Sequence, residues 1–478
     1  MPASGARIRP AGLQPRWANA SDVPRSATGA KARQRLQARY LLPFLVVFGL
    51  IAIDLVNDRP QPLPSRHHLF LDQPIPAFGP PDYEAALADA DRRIELGREK
   101  LRRAPRDWTS MEALAQGLMA RAALTGDYRE WAEAGRLLDT GMSVAPEKSG
   151  PVVAHAALAF ATHRLAAAER DLRTIESAAV TPGDTLIAGM AGLAGDIAFY
   201  RGDMVNAQRL YARGARLGGG SAIDFRLAAL AMAQGHFADA DAAILRAVSG
   251  KGKHTPYILA QAAMRLGAHD LSRGRWDAAD RWFARADKLF PGHWLIAAHR
   301  VQGRALRGDA TAAEQMAAIA TRSNSAEAMD AAAMLFRQRG DGRNSRRWAD
   351  RAAILWEERL RLLPEAAYGH AVEHELAFGS PAAALDLARR NLAQRPYGEA
   401  RLLLANALLM NNFPDAALVE IARAEASGWR SAPLYAAKAE AAALAGRPQE
   451  AEAARAMAER INPRIFDPRA PLIWFAHG

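Results

Sequence analysis

The chain has 478 residues, a formal net charge of +11 and no cysteine. The absence of cysteine excludes disulfides, thiolate nucleophiles and metal sites with Cys ligands. Alanine is abundant, aromatic residues make up only 7% of the chain, and β-branched runs are scarce. This composition favours close helix–helix packing and argues against a sheet protein.

The positive charge is concentrated at the start of the chain. Residues 1–40 contain eight Arg or Lys and one acid, Asp22, a net charge of 8 − 1 = +7, which leaves 11 − 7 = +4 for the other 438 residues. The charge therefore does not indicate a basic body that binds nucleic acid. Residues 1–39 are rich in Pro, Gly, Ala, Ser and Arg without apolar periodicity, which predicts a disordered, basic tail.

Residues 40–56, YLLPFLVVFGLIAIDLV, are predicted to form a transmembrane helix. The run has 17 residues, its only charge is Asp54, and Pro43 falls in the first turn, where proline is tolerated. One alternative is a buried helix of a soluble domain, which a basic tail before the run and a Pro-rich spacer after it argue against. The other is a cleaved signal peptide, which the long preceding segment and the lack of a small-x-small site argue against.

Charges on the two sides of this helix predict its orientation. Three arginines lie at residues 33–39, whereas the far side begins with Asp54, Asp58 and Arg59. Because positively charged flanks stay in the cytoplasm, the prediction is a single-pass protein with a cytoplasmic N-terminus and a periplasmic body. The Ala/Arg/Gly-rich composition indicates a bacterial protein, and in a Gram-negative bacterium this topology predicts anchoring in the inner membrane. Residues 57–81 contain seven prolines and predict a semi-rigid stalk that holds the folded part away from the bilayer.

Helical patterns recur from residue 82 onward and are clearest in PYILAQAAMRLGAHDLSRGRWDAADRWFARADKLFP, from Pro256 to Pro291. Two helical patterns flank a tight turn at Gly274. The small residue Gly267 indicates a place where a second helix approaches closely, and the second pattern repeats at i, i+4 and i+7. The stretch resembles a tetratricopeptide repeat (TPR), whose signature is filled here by Leu266, Gly267, Gly274, Trp276, Ala279, Phe283, Ala286 and Pro291.

About ten copies of this unit are predicted over residues 106–463. Their turns lie at Gly126, His163, Gly202, Gly235, Gly274, Gly308, Gly340, Gly379, Asn412 and Gly446. The spacings from Gly202 onward are 33, 39, 34, 32, 39, 33 and 34 residues, centred on the TPR period. The two longer spacings need an insertion at residues 250–255 and a long second helix at residues 343–363.

The predicted fold is therefore all-α. It is a TPR-like right-handed α-solenoid of about ten helical hairpins within residues 82–463, preceded by one transmembrane helix. Because ten repeats exceed one superhelical turn of a typical TPR array, a deep concave face is expected. Residues 464–478 form an apolar tail with Leu472, Ile473, Trp474 and Phe475. The tail either folds back over the last hairpin or is an exposed docking peptide, and the aggregation risk of an exposed apolar tail favours the first.

In the TPR family the first helix of each repeat lines a concave groove, and the functional interpretation here is a peptide, a protein tail or a glycan bound along it. The resemblance implies a partner-binding groove in this chain. The alternative left open is that these residues are merely exposed or pack against neighbouring helices. The predicted groove residues are Asp196, Phe199, Tyr200, Phe225, Met232, Gln261, Met264, Leu271, Arg337, Gln338, Glu373, Asn406 and Glu440.

One motif has the residues of a metal site. The residues His370, Glu373 and His374 form H-x-x-E-H, which is able to place two ligands and a base on one face of a helix. The motif lies in the first helix of a repeat that is in register, so two histidines on the helix surface are the favoured interpretation and a zinc hydrolase is the alternative. Neither a metal nor a cofactor is predicted. For Trp276 and Trp356, core packing is favoured over sugar stacking.

The resemblance implies a scaffold or adaptor for protein partners rather than an enzyme. The chain is similar to the TPR components of bacterial envelope machines, such as those of exopolysaccharide synthesis and secretion, which hold synthase, modifying enzymes and export pore together. Exopolysaccharide-machinery subunits are therefore possible partners. A second hypothesis is a biogenesis adaptor that presents a client peptide or apoprotein, of the kind found in cytochrome assembly.

Overall fold

The computed structural model describes residues 70, 74–146, 149–177, 183–249 and 254–475. The predicted tail at residues 1–39 and the predicted transmembrane helix at residues 40–56 lie outside these ranges. The described ranges contain α-helices and one short 3-10 turn, Ala470–Leu472, and no strand. In chain order the helices are α1 (Tyr83–Arg103), α2 (Trp108–Thr125), α3 (Tyr128–Val144), α4 (Val152–Ala161), α5 (Leu165–Glu176), α6 (Asp184–Tyr200), α7 (Met204–Arg216), α8 (Gly220–Ala233), α9 (Phe237–Ser249), α10 (Pro256–Ser272), α11 (Trp276–Leu289), α12 (Trp294–Leu306), α13 (Ala312–Ser323), α14 (Ala326–Gln338), α15 (Gly342–Leu362), α16 (Pro364–Ala377), α17 (Pro381–Gln394), α18 (Gly398–Met410), α19 (Pro414–Ala426), α20 (Ala432–Leu444) and α21 (Pro448–Ile461).

After α1, these helices pair into ten consecutive hairpins, from α2–α3 to α20–α21. This confirms the all-α, TPR-like architecture and the predicted number of repeats for the described part of the chain. Helix α15 has 21 residues and is the long second helix that the second 39-residue spacing predicts. Each hairpin packs on the next along the chain, so the core is continuous from repeat to repeat.

The turns of the hairpins explain why glycines marked the repeats. Their left-handed backbone ends the first helix and redirects the chain into the second, and glycine adopts it without the steric cost of a Cβ atom. At Gly379, the eighth predicted turn in chain order, the Glu375 carboxylate accepts a hydrogen bond from Ser380 N (2.9 Å). Positive φ angles occur at the other nine predicted turn positions, Gly126, His163, Gly202, Gly235, Gly274, Gly308, Gly340, Asn412 and Gly446.

The first and second helices of the hairpins differ in the fraction of their residues that is buried. Helix α18, a first helix, buries 11 of its 13 residues, and α10 buries 13 of 17. Helix α21, a second helix, buries only Ala454 and Ala458 among 14 residues. A helix that buries residues all round lies inside a structure, and one with a single narrow stripe lies at its surface. The first helices therefore form the inner layer of the solenoid and the second helices the outer layer.

Hairpins that are far apart in sequence also meet. Arg430 N donates a hydrogen bond to Ala233 O (2.8 Å), and the Tyr128 hydroxyl donates one to Ala366 O (3.2 Å). The hairpins joined in this way are at least five hairpins apart in the chain, so successive turns of the superhelix touch. The deep concave face expected from the sequence is therefore closed where these turns meet.

Part of the predicted stalk lies on the solenoid. Phe70 is buried, with its ring 6.0 Å from that of Trp282, and Tyr83 N at the start of α1 donates a hydrogen bond to Pro291 O (3.0 Å). Residue 70, within the predicted stalk, thus packs its aromatic side chain into the core, and the stalk itself stays a prediction. No helix in the described ranges is both long enough and apolar enough to cross a bilayer.

The close approach predicted at Gly267 is confirmed, and it gives a test of the fold. An added Cβ there would lie 2.5 Å from Phe283 Cε1 on α11. Gly267→Ala is therefore expected to destabilise the protein by about 1–3 kcal/mol, the usual cost of overpacking, although Ala is the better helix former. Urea unfolding followed by circular dichroism measures this.

Gly189→Ala on α6 is the matched control. No atom lies within 4 Å of a Cβ built there, so helix propensity alone should act and raise the unfolding midpoint slightly. If both substitutions shifted the midpoint upward, the close contact between α10 and α11 would be refuted.

Candidate peptide-binding site

The C-terminal segment lies on the inner layer of the solenoid. After α21 the chain turns back, forms the 3-10 turn at Ala470–Leu472 and continues extended through Ile473. Phe466, early in the tail, packs on the last hairpin, with Arg455 over its ring (4.1 Å). Residues 470–475 pack instead against α12 and α14, the first helices of two earlier hairpins. The fold-back predicted for residues 472–475 is therefore correct in their burial and wrong in their place. The exposed fractions of Leu472, Ile473, Trp474 and Phe475 are 7, 8, 5 and 1%.

The side chain of Gln302 on α12 holds the main chain of this segment. Its Oε1 accepts hydrogen bonds from Trp474 N (2.6 Å) and Phe475 N (2.8 Å), and its Nε2 donates one to Phe475 O (2.9 Å). Gln302 is 1% exposed, so these polar groups satisfy one another away from water. A carboxamide both accepts and donates, which allows it to bind the backbone of an extended peptide whatever its side chains.

Aromatic rings on the inner layer surround the two aromatic residues of the segment. The Phe475 ring lies 5.6 Å from the His299 ring and 6.5 Å from the Trp294 ring, both edge to face. The Trp474 ring lies 6.0 Å from that of Phe378, which follows α16. Edge-to-face and offset pairs at these distances are favourable contacts between aromatic side chains. The site thus combines a main-chain clamp with pockets for two rings.

The imidazole of His299 forms part of the floor of this site. It is fully buried and stacks on Phe283 with ring centroids 4.3 Å apart. Neither ring nitrogen has a hydrogen-bond partner. Burial lowers the pKa of His299 to about 3, with a smaller contribution from His293. At neutral pH the ring is therefore uncharged and acts as an apolar aromatic surface.

The structure distributes the thirteen predicted groove residues unequally between interior and surface. Binding of a partner at these positions stays a prediction, but a fully buried side chain is closed to a partner in this conformation. The structure buries Asp196, Phe199, Tyr200, Met264, Leu271, Glu373 and Asn406, half-buries Phe225, Met232, Gln261, Arg337 and Glu440, and exposes Gln338.

The carboxylate of Asp196, on the inner layer, is paired with side chains of the solenoid itself. Its carboxylate accepts hydrogen bonds from Arg226 Nε (2.8 Å) and the Tyr211 hydroxyl (2.9 Å). Burial raises the pKa of Asp196, although Arg226 and Tyr211 oppose this. Arg226 is the next first helix's side chain, so the pair joins adjacent hairpins. A buried charge requires such a partner.

An aromatic cluster fills the space between two superhelical turns. Phe199 and Tyr200 of α6 meet Tyr397, which precedes α18, at ring distances of 6.1 and 4.9 Å. Trp429 also contacts Tyr397, edge to face at 5.7 Å. The aromatic groove lining predicted at Phe199 and Tyr200 is thus packed against the chain itself.

The histidines of H-x-x-E-H face different carboxylates. His374 Nδ1 bonds to Asp330 Oδ1 (2.7 Å) on α14, which also accepts from Trp356 Nε1 (2.8 Å), while His370 Nδ1 lies 3.0 Å from Glu373 Oε2. Burial lowers the pKa of His374 but Asp330 outweighs it, so the pKa is raised. The favoured interpretation of two surface histidines is wrong for His374, which is buried. The described ranges contain no group of three or more His, Asp or Glu arranged to hold a metal ion.

Gln302 is the functional candidate that the sequence analysis missed. It lies six residues before the turn at Gly308, as Asp196 does before Gly202 and Asn406 before Asn412. The same register therefore pointed to this position. What the sequence alone did not indicate was the partner, because the segment that Gln302 binds lies 172 residues farther along the chain.

No protein-family model matches this sequence, and no curated protein matches it. Among solved structures, the chain is similar to the APC/C hetero-tetramer Cut9-Hcn1 at 14% identity, over 82% of this chain and 94% of that one, with a TM-score of 0.30. Yeast Tom70 shows 12% identity over 78% and 87%, with a TM-score of 0.32. The human IFIT1 dimer with m7Gppp-AAAA shows 11% over 83% and 99%, with a TM-score of 0.37. Because these TM-scores and sequence identities are low, the similarities do not establish the fold. The TPR-like architecture follows from the ten hairpins themselves.

Replacing the clamp residue tests the site. Gln302→Ala leaves the buried Phe475 amide without its acceptor and the Trp474 amide with Leu472 O (3.1 Å) alone. A buried amide that loses its partner costs about 1–3 kcal/mol. We expect the amides of residues 473–475 to exchange hydrogen at least tenfold faster, measured by mass spectrometry. Gln208→Ala, at an exposed glutamine on α7, is the matched control. Unchanged protection in Gln302→Ala would show that the clamp does not hold the segment.

The buried imidazole predicts a pH dependence. The unfolded chain protonates His299 near pH 6.5 and the folded chain only near pH 3, so unfolding becomes more favourable by about 1.4 kcal/mol for each pH unit between these values. His299→Phe should therefore flatten the fall in the free energy of unfolding between pH 6.5 and 4. His236→Phe, at an exposed histidine, is the control. Parallel profiles for wild type and His299→Phe would contradict the burial of this ring.

Proposed function

We propose that the chain is a membrane-anchored scaffold or adaptor that binds partner proteins through the inner layer of its TPR-like solenoid. The observation that carries this proposal is the C-terminal segment, an extended apolar peptide bound to first helices with its main chain held by Gln302. A surface that binds its own chain in this way has the donors, acceptors and apolar pockets needed for a similar segment of another protein.

The cellular setting is proposed from the sequence. Residues 40–56 would anchor the protein in a bacterial inner membrane, with the N-terminus in the cytoplasm and the solenoid in the periplasm, because arginines flank the run on the N-terminal side. A cell-envelope assembly is the proposed context, and exopolysaccharide synthesis or secretion the proposed pathway. The similarity of the repeats to TPR components of such machines supports both.

The bound segment also favours a second candidate, an adaptor in protein biogenesis that presents a client peptide or apoprotein. Both functions use the same inner layer and differ only in the partner. A zinc hydrolase is not proposed, since His374 bonds to Asp330, away from Glu373 and His370.

Site-specific photo-crosslinking in cells tests the scaffold function. A photo-reactive residue placed at Gln338 would report on the inner layer. Its neighbour Arg337 lies over the Phe378 ring (4.7 Å), which in turn contacts Trp474. We expect light-dependent adducts with a discrete partner protein, which mass spectrometry would identify.

The matched control is the same residue at Ile354, which is 66% exposed on α15, the second helix of the same hairpin. Adducts of equal yield from both positions, or none from position 338, would count against an inner-layer binding site. Washing the membranes with alkaline carbonate tests the anchor in the same preparation. Release of the protein by this wash would refute the transmembrane helix.

A further inference from the structure

We infer that residues 470–475 act as an intramolecular competitor: they occupy the site of an extended, aromatic segment of a partner protein, which binds by displacing them. This inference rests on the proposed function. It adds the chemistry of the partner segment and the way in which access to the inner layer is controlled.

The contacts of the bound segment define what the site selects. Gln302 binds main-chain atoms only, so it requires an extended backbone and no particular side chain. Selection comes from the neighbouring rings of His299 and Phe378, which contact Phe475 and Trp474. The partner segment should therefore carry two adjacent large aromatic residues. A segment without them would lose the contacts that bury the most apolar area.

The way in which the segment is attached makes displacement feasible. It follows the last helix. The neighbouring side-chain hydrogen bond, from Arg469 Nη1 to Leu306 O (2.9 Å), is made by the residue just before the segment. The main-chain bonds within the segment are those of its own turns, such as Leu472 N to Arg469 O (2.9 Å). Detaching it therefore breaks contacts with the inner layer while every hairpin keeps its own helix pair.

Mass action explains why the attached segment would control access. A peptide joined to its site by a short connection has an effective concentration on the order of millimolar. A free segment with the same contacts must compete against that concentration. Partner binding to the intact chain is then weaker than to a chain without the segment, and the ratio of the two affinities measures the competition.

The experiment uses the full chain in detergent and a variant that ends after Arg469. The probe is the fluorescein-labelled peptide RAPLIWFAHG, the sequence of residues 469–478, and fluorescence anisotropy gives its dissociation constant. The control peptide, RAPLIAAAHG, has alanine in place of the two aromatic residues. We expect the labelled peptide to bind the shortened chain at least tenfold more tightly than the intact chain, and Gln302→Ala in the shortened chain to reduce this binding at least tenfold.

The outcomes separate the inference from the proposed function. Equal binding to the intact and shortened chains would overturn the competitor while leaving the peptide site in place. Equal binding of the two peptides would overturn the aromatic selection. If the shortened chain bound neither peptide yet position 338 still yielded a partner adduct, the competitor would fail and the scaffold would stand. If the shortened chain bound neither peptide and position 338 gave no adduct, the scaffold function would be refuted as well.

A second variant tests the inference if the shortened chain does not fold. Trp474→Ala with Phe475→Ala keeps the full length and weakens the same contacts, and circular dichroism checks that its helices remain. It should bind the labelled peptide more tightly than the intact chain. Excess labelled peptide should also speed hydrogen exchange at residues 472–475 of the intact chain. No change in either measurement would overturn the inference.

Discussion

Packing of the inner helices on two sides is the constraint on which this structure depends. Each first helix contacts the second helix of its own hairpin and also faces the interior of the superhelix, where later turns pack against earlier ones. Helix α18 accordingly buries 11 of 13 residues. Small side chains and glycines such as Gly267 make this close packing possible, because a methyl group there would overlap Phe283.

The same packing decides what the inner layer is able to bind. Where aromatic residues such as Phe199 and Tyr200 meet Tyr397 across the superhelix, the surface is already used. Around Gln302 the occupant is a non-helical segment, bound through its backbone and two aromatic rings. A tightly coiled solenoid thus keeps a peptide-shaped site on its inner layer, where the bound segment leaves its own helices intact.

Several sites suggested by the sequence have structural roles instead. The H-x-x-E-H motif supplies His374 to a bond with the fully buried Asp330, which joins α16 to α14 and α15. Asp196 neutralises Arg226 between two hairpins. These charges are buried and paired, which specifies how neighbouring repeats join. The register that predicted a groove selects first helices, but it does not distinguish residues that bind a partner from residues that bind the chain itself.

The sequence by itself determined the helices, the turns and the number of hairpins, because these depend on local signals. A glycine in the left-handed conformation at Gly274 and an apolar period of 3.6 residues act within one repeat. Only the tertiary structure decided which inner residues are accessible and where the C-terminal segment lies. Those outcomes depend on contacts between residues far apart in the chain, such as Gln302 with Trp474 and Arg430 with Ala233. No pattern within a single repeat determines which distant repeats come into contact.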